Sequence, residues 1–169
     1  EQVQAIIAGG PEAIVKAQEG AEDRAEDGAR QMDARGVASI DVVMGIAAGG
    51  TTPFVHGALR HARQLGAKTI FLSCVQPVEN EPPVDCVIRP LTGPEVVTGS
   101  TRLKAGTATK LILNTISTLA MVQLGKVYGN LMVDLRASNQ KLWERGARIV
   151  ATITGVSYEM GMNLLRQAD

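Results

Sequence analysis

Three stretches of this 169-residue chain hold residue types at spacings that chemistry could use. In residues 93–117, Gly93-Pro94 and Gly99-Ser100 are turn signals, and the small polar residues between them offer amide and hydroxyl donors. A helix is expected to follow, with Thr107 as its N-cap and apolar residues at Leu111, Ile112, Leu113, Ile116, Leu119 and Ala120. Arg102 and Lys104 stand just before it, so two cations meet a positive helix end, an arrangement that suits an anion from a ligand or from a neighbouring segment. The second stretch is Gly49-Gly50-Thr51-Thr52, between an apolar run at residues 41–46 and a helix opening at Pro53. Free amides, hydroxyls and a helix start form a phosphate cradle, although a plain tight turn between strand and helix reads the same way. The third is Glu19 and Glu22, three apart, which share a face if the segment 19–35 is one helix. By composition alone that face is a solvated acidic surface.

The elements that must position these residues alternate between strand and helix. Strands are expected at residues 3–7, 41–46, 68–74 and 85–89, with Ser73 placed to line the crevice at a strand's carboxyl end. The run 41–46 is nearly continuously apolar, as in parallel strands buried on both faces. Helices are expected from Pro11 to about Gln18, over 19–35, from Pro53 to about Leu65, from Thr107 to about Leu124 and over 138–152, with a last helical segment at 157–167. The segment 75–83, rich in proline and acidic residues, reads as a surface loop. Together these predict an α/β fold, a three-layer sandwich with a doubly wound parallel sheet flanked by helices. Gly125 is expected to end the apolar helix as its C′ residue.

The motifs are also familiar as a set. Gly-Pro-Glu followed by Thr-Gly-Ser-Thr-Arg-Leu-Lys-Ala-Gly-Thr-Ala resembles the signature of the N-acetylmuramic acid 6-phosphate etherases, relatives of the glucokinase regulatory protein in the sugar-isomerase (SIS) fold group. The resemblance runs through residues 125–134 and back to Glu19-Gly20-Ala21-Glu22-Asp23. It implies that Glu22 is catalytic and that Glu19 faces the sugar. It raises Gly49, Gly50, Thr51, Thr52, Ser73 and Lys104 as substrate-binding residues. The loop departs from the family's usual Ala-Ser-Gly-Arg-Thr-Pro, with Gly49 in place of the serine and Thr51 in place of the arginine, so one hydroxyl and one cation are lost. In the family, roughly a preceding third carries a first strand, a phosphate loop and an acidic catalytic residue, so the chain reads as a piece of a longer protein. The expected division is a SIS sugar-phosphate-binding domain over 1–136 and a truncated helical segment over 137–169.

The implied activity is a carbon–oxygen lyase, an etherase that splits the D-lactyl ether of N-acetylmuramic acid 6-phosphate during amino-sugar and cell-wall recycling, with no cofactor. The alternative is a non-catalytic sugar-phosphate-binding module like the glucokinase regulatory protein. The implied partners are a phosphorylated amino sugar and a second copy of the chain, as a homodimer with its site near the subunit interface. Composition narrows the remaining classes. Lys and Arg number 17 against 17 Asp and Glu, and aromatics are 3%, so neither a nucleic-acid nor an acidic-membrane partner is expected. No apolar run reaches the roughly 18 residues of a membrane span, and no secretory leader opens the chain, so a cytoplasmic address is expected. Cys74 and Cys86 lack a C-x-x-C spacing and read as small buried hydrophobes. His56 and His61, five apart, miss the four-residue spacing of helix-borne metal ligands, and no metal is expected.

Overall fold

The structure is a computed structural model that describes residues 3–168. It comprises two compact units, Glu1–Leu111 and Ile112–Asp169. The first is α/β. Strands β1 (Val42–Ile46), β2 (Lys68–Leu72) and β3 (Cys86–Ile88) pair in parallel in the order β1-β2-β3. The register runs from Val42 opposite Lys68 to Ile46 opposite Leu72, and from Ile70 opposite Cys86 to Leu72 opposite Ile88. Helix α1 (Ala25–Ala34) precedes β1, and α2 (Pro53–Gln64) joins β1 to β2.

Helix α2 forms where the sequence predicts it. Pro53 sits at the helix start, where its fixed φ suits the helix and its missing N–H deprives no partner. Phe54, Ala58, Leu59 and Ala62 recur on one face and are buried. Leu59 packs with Ala47 and Phe71 over the sheet, whereas Ala58 and Ala62 meet Met32 and Ala67. Alternation along β2 sends Ile70 and Leu72 to the opposite face, where Cys74 lies 3.8 Å from the Ala105 carbonyl at the start of helix α3 (Lys104–Gln123).

Glycine sets how close α1 and α2 come. A Cβ on Gly28 would lie 2.0 Å from the Phe54 carbonyl oxygen, and one on Gly57 would lie 2.0 Å from that of Ala25. Backbone therefore meets backbone at the crossing, with no room for a methyl group. Further along, the His61 Nε2 meets Asp33 Oδ1 at 2.6 Å, and this carboxylate raises the imidazole pKa above its usual range. At the other end of the sheet, Asp85 accepts from the Thr69 amide and hydroxyl, both at 2.9 Å, and from Lys68 at 3.0 Å. Chiefly through the Thr69 amide, these donors pull its pKa down to about 2.

Several expectations change. Residues 3–7 are not a strand; they have no ladder partner among the described residues, and Ile6 alone packs against the Met32 cluster while Val3 and Ile7 stay exposed. An apolar run reports burial but supplies no pairing. Among the described residues the parallel sheet thus has three strands, not four. β1 is covered on one face only: Gly45 is buried beneath α2, whereas Val42 and Ile46 are exposed. Cys86, on edge strand β3, is exposed as well. The helix expected from Pro11 is a short 3-10 turn, Pro11–Ile14, and the segment 19–35 divides into a 3-10 turn (Ala21–Asp23) and α1. Gly20, at φ +69°, caps that turn and puts Glu19 outside it, so Glu19 and Glu22 do not share a helix face.

In the second unit, α3 ends in a Schellman arrangement: Gly125 at φ +72° donates to the Val122 carbonyl, and Lys126 donates to that of Met121. β4 (Val127–Tyr128) and β5 (Leu131–Met132) form an antiparallel hairpin around Gly129-Asn130, with Tyr128 exposed and a Lys126–Asp134 ion pair beyond its open end. Helices α4 (Gln140–Thr154) and α5 (Tyr158–Ala168) pack closely, since a Cβ on Gly161 would fall 2.7 Å from the Ala147 carbonyl oxygen. Asn139 caps α4 by accepting from the Leu142 amide.

Two outcomes follow from this packing. Gly57→Ala should lower unfolding free energy by at least about 2 kcal/mol in urea titrations, since backbone must move to admit the methyl group. Gly106→Ala, whose Cβ meets only ordinary van der Waals contact in α3, should be neutral or mildly stabilising. Asp85 has a folded pKa below its unfolded value, so its contribution is complete above about pH 4 and fades as pH falls toward 2. Asp85→Asn should therefore lower the urea midpoint at neutral pH and flatten its decline between those values.

Candidate functional site

A cavity of about 550 Å³ runs along β1, lined from Arg35, Val37 and Asp41 before the strand to Gly49 and Thr52 after it. Glu22, Gly49, Thr52 and Thr101 line it with Met44 and Ile46 of β1. Two short segments converge there for one reason. Glu22 lies in the turn just ahead of α1, residues 49–52 lie just ahead of α2, and that turn packs against α2 beside the glycine crossing. Glu22 is exposed, and its carboxylate has no hydrogen bond or ion pair among the described residues.

The loop ahead of α2 presents donors. Gly50 adopts φ +79°, its amide bonds the Ala47 carbonyl at 2.9 Å, and it is buried against Val75 and Val78. The amides of Gly49, Thr51 and Thr52 have no acceptor among the described residues. Thr52 is the N-cap residue of α2, yet its side chain makes no capping bond, which leaves the hydroxyl to the cavity it lines. Open amides at the start of a 12-residue helix favour an anion through both hydrogen bonding and the helix dipole.

Of the residues singled out from sequence, the structure therefore brings Glu22, Gly49 and Thr52 to one cavity. Thr51 is exposed at its edge in the chain, and Gly50 is buried behind the loop. Glu19 is exposed and does not line the cavity. Ser73 is fully buried; its Oγ accepts from Arg89 Nη1 at 2.5 Å. Arg89 also donates to the Val75 carbonyl at 3.0 Å and to Glu81 at 2.7 Å, and its guanidinium holds the Glu81 carboxyl below its ordinary pKa. Both partners of that ion pair are largely buried, and Glu81 in turn accepts from the Val78 amide, so the Arg89 cluster clamps residues 75–83 against the glycine loop.

The start of α3 is similarly occupied from within. The helix begins at Lys104, one turn before the expected cap, and Thr107 bonds back to the Leu103 carbonyl inside the helix. The anion at its N-terminus is Glu95 of Gly-Pro-Glu, which accepts from the amides of Ala105 and Lys104, each at 2.9 Å. These amides lower the Glu95 pKa, that of Ala105 foremost. Of the two anion sources left open by the sequence, the neighbouring segment fills this position. Lys104 joins that cap through its backbone, and its side chain is not part of the cavity wall. Arg89 and Glu95 carry no assignment from sequence, because Arg89 acts through Ser73 and Glu81 and Glu95 through Lys104 and Ala105, all eight or more residues away.

Comparison with known proteins places these motifs. The family model described as the glucokinase regulatory protein N-terminal SIS domain matches residues 1–63, and that of the C-terminal lid domain of glucokinase regulatory protein matches residues 129–168. A protein of Nostoc sp. named N-acetylmuramic acid 6-phosphate etherase is 55% identical over 169 residues, which is 100% of this chain and 55% of that relative. Proteins of the same name from Microcystis aeruginosa and Gloeobacter violaceus are each 55% identical, over 99% and 98% of this chain and 55% and 54% of their own lengths. The chain spans about half the length of the curated relatives it matches.

The Glu95 cap yields a direct test. Glu95→Ala should speed amide exchange at Lys104 and Ala105 and lower the melting temperature at neutral pH. Because the folded carboxyl pKa is depressed, the difference between the two proteins should shrink as pH falls below the usual carboxylate range of about 4.

Proposed function

We propose, from its similarity to proteins named N-acetylmuramic acid 6-phosphate etherase and to the SIS domain of the glucokinase regulatory protein, that the chain forms part of an enzyme cleaving the D-lactyl ether of N-acetylmuramic acid 6-phosphate. The observation that carries this reading is that an unpaired carboxylate, Glu22, lines the same cavity as Gly49 and Thr52, whose amides are open. The loop would take the sugar's phosphate, and Glu22 would work on the carbon skeleton.

In the proposed reaction the sugar ring opens to its aldehyde, which acidifies the proton on C2. Glu22 removes that proton, the electron pair is delocalised into the carbonyl, and the C3–O bond breaks to release D-lactate. Water then adds at C3 to give N-acetylglucosamine 6-phosphate. The departing lactyl oxygen needs a proton from a second acid, a role assigned to a group outside these 169 residues. The substrate's own aldehyde stabilises the enolate, so the steps call on no cofactor. Gly49, Thr51 and Thr52 are assigned to the phosphate, with Gly50 as the residue that shapes their loop.

The same reading includes a homodimer. Leu113, Ile116, Leu119 and Val122 are all at least 38% exposed on α3, an apolar surface suited to a second copy. Light scattering should give twice the chain mass, and Leu119→Glu should return it to the monomer. The substrate is a phosphorylated sugar, and no helix among the described residues is long and apolar enough to cross a membrane, which together suit a cytoplasmic enzyme.

D-lactate release from N-acetylmuramic acid 6-phosphate, in the protein that carries these residues, tests the main reading. Glu22→Gln, which keeps the side chain's size but cannot take a proton, should lower the rate at least about 100-fold. An unchanged rate would remove Glu22 from the reaction. Phosphate-dependent sugar binding without lactate release in the unmutated protein would instead favour the regulatory-module alternative.

A further inference from the structure

His56 is 8% exposed, on the buried face of α2, and its Nε2 lies 2.8 Å from the Gly50 carbonyl oxygen. A carbonyl only accepts, so Nε2 carries the proton and donates. The ring is held by an edge-on contact with Phe71, centroids 5.7 Å apart at 81°. Gly50 is pressed from its other side by Val78 and Val75, and Val78 belongs to the segment clamped by Arg89 and Glu81. The glycine turn is thus gripped between a helix side chain and a braced loop.

This grip has a consequence for the next residue. The Gly50 carbonyl and the Thr51 N–H belong to one planar trans peptide and point in opposite directions. By holding the carbonyl inward, His56 turns the Thr51 amide outward, where it has no acceptor among the described residues. We infer that His56 is a positioning residue for the phosphate loop, which acts by fixing the Gly50–Thr51 peptide so that its amide meets the phosphate of a phosphorylated sugar. This inference rests on the site reading given under Proposed function and adds the residue that orients one of its donors.

Two variants separate the hydrogen bond from packing. His56→Gln retains an N–H donor of similar reach, and His56→Leu retains apolar bulk without one. The first measurement needs no ligand: amide exchange at Thr51 and the carbonyl carbon shift of Gly50, read by NMR. His56→Leu should change both, and His56→Gln should restore them in large part. The second is calorimetric binding of N-acetylglucosamine 6-phosphate and of unphosphorylated N-acetylglucosamine. His56→Leu should weaken the phosphorylated sugar about tenfold, the size of one hydrogen bond, with the unphosphorylated sugar unaffected and His56→Gln within about threefold of the parent protein.

If His56→Leu leaves the Thr51 and Gly50 signals in place, or if both variants lose affinity equally, the inference is overturned. Changed loop signals with unchanged phosphate affinity also overturn it, since the peptide would then be oriented without effect on the anion. A parent protein that shows no preference for the phosphorylated sugar overturns the site reading itself, whereas the ligand-free signals still decide whether His56 fixes the peptide.

Discussion

The close crossing of α1 and α2 is the constraint on which the first unit depends. At Gly28 and Gly57 the two backbones touch, with 2.0 Å between each hypothetical Cβ and the opposing carbonyl oxygen. No side chain other than hydrogen fits there. The crossing lies within one turn of both helix starts, so it fixes the turn that carries Glu22 relative to the loop that precedes Pro53. A carboxylate and a set of open amides from distant parts of the chain thereby reach one cavity, without either being on a regular element. Dispersion between apolar side chains alone would hold the helices farther apart, at the usual 8–10 Å or so between axes, with more freedom to slide.

Around that crossing, charge is used mainly for alignment. Glu95 ties the loop after β3 to the start of α3, and Arg89 ties β3 to Ser73 and to residues 75–83. Asp85 stitches β2 to the start of β3. In each case a carboxylate is satisfied by backbone amides or a cation, and its pKa falls accordingly. Glu22 is the contrast. It reaches the same region with no partner among the described residues, and unlike Glu81 or Glu95 it is not already committed to a structural role. Glu22 thus differs from Glu81, Asp85 and Glu95 in that its carboxylate is not used to hold a loop. It differs from the other carboxylates left unpartnered among the described residues, Glu12, Glu19, Asp23, Glu26 and Glu79, in lining the cavity.

Much of this was legible in the sequence, where the signal was local. Apolar periodicity and Pro53 locate α2, the β-branched runs locate β1 and β2 to within two residues, and Gly125 ends α3 as expected. The α/β class with a parallel sheet and flanking helices follows from those elements. Pairing was not legible. Residues 3–7 have the composition of a strand, but composition does not say whether a neighbour's amides are in reach. The shared face expected for Glu19 and Glu22 failed because Gly20 takes a positive φ that divides the helix. Within the site, the loop residues Gly49 and Thr52 were visible as a glycine-rich turn before a helix, whereas Glu22 was indicated by resemblance alone. Ser73 is committed to Arg89, sixteen residues away, and His56 reaches back six residues to Gly50. Neither bond leaves a periodic trace, so only the folded chain reveals them.

Proton abstraction by Glu22 from a sugar held at the 49–52 loop is the step on which the proposed reaction turns. The most direct measurement is deuterium incorporation at C2 of N-acetylglucosamine 6-phosphate in heavy water, followed by proton NMR, because it isolates proton transfer from breakage of the ether. Time-dependent loss of the C2 proton signal is expected with the parent protein, and retention of that signal with Glu22→Gln. Equal exchange in the two proteins would contradict this expectation, and would assign the base to another residue.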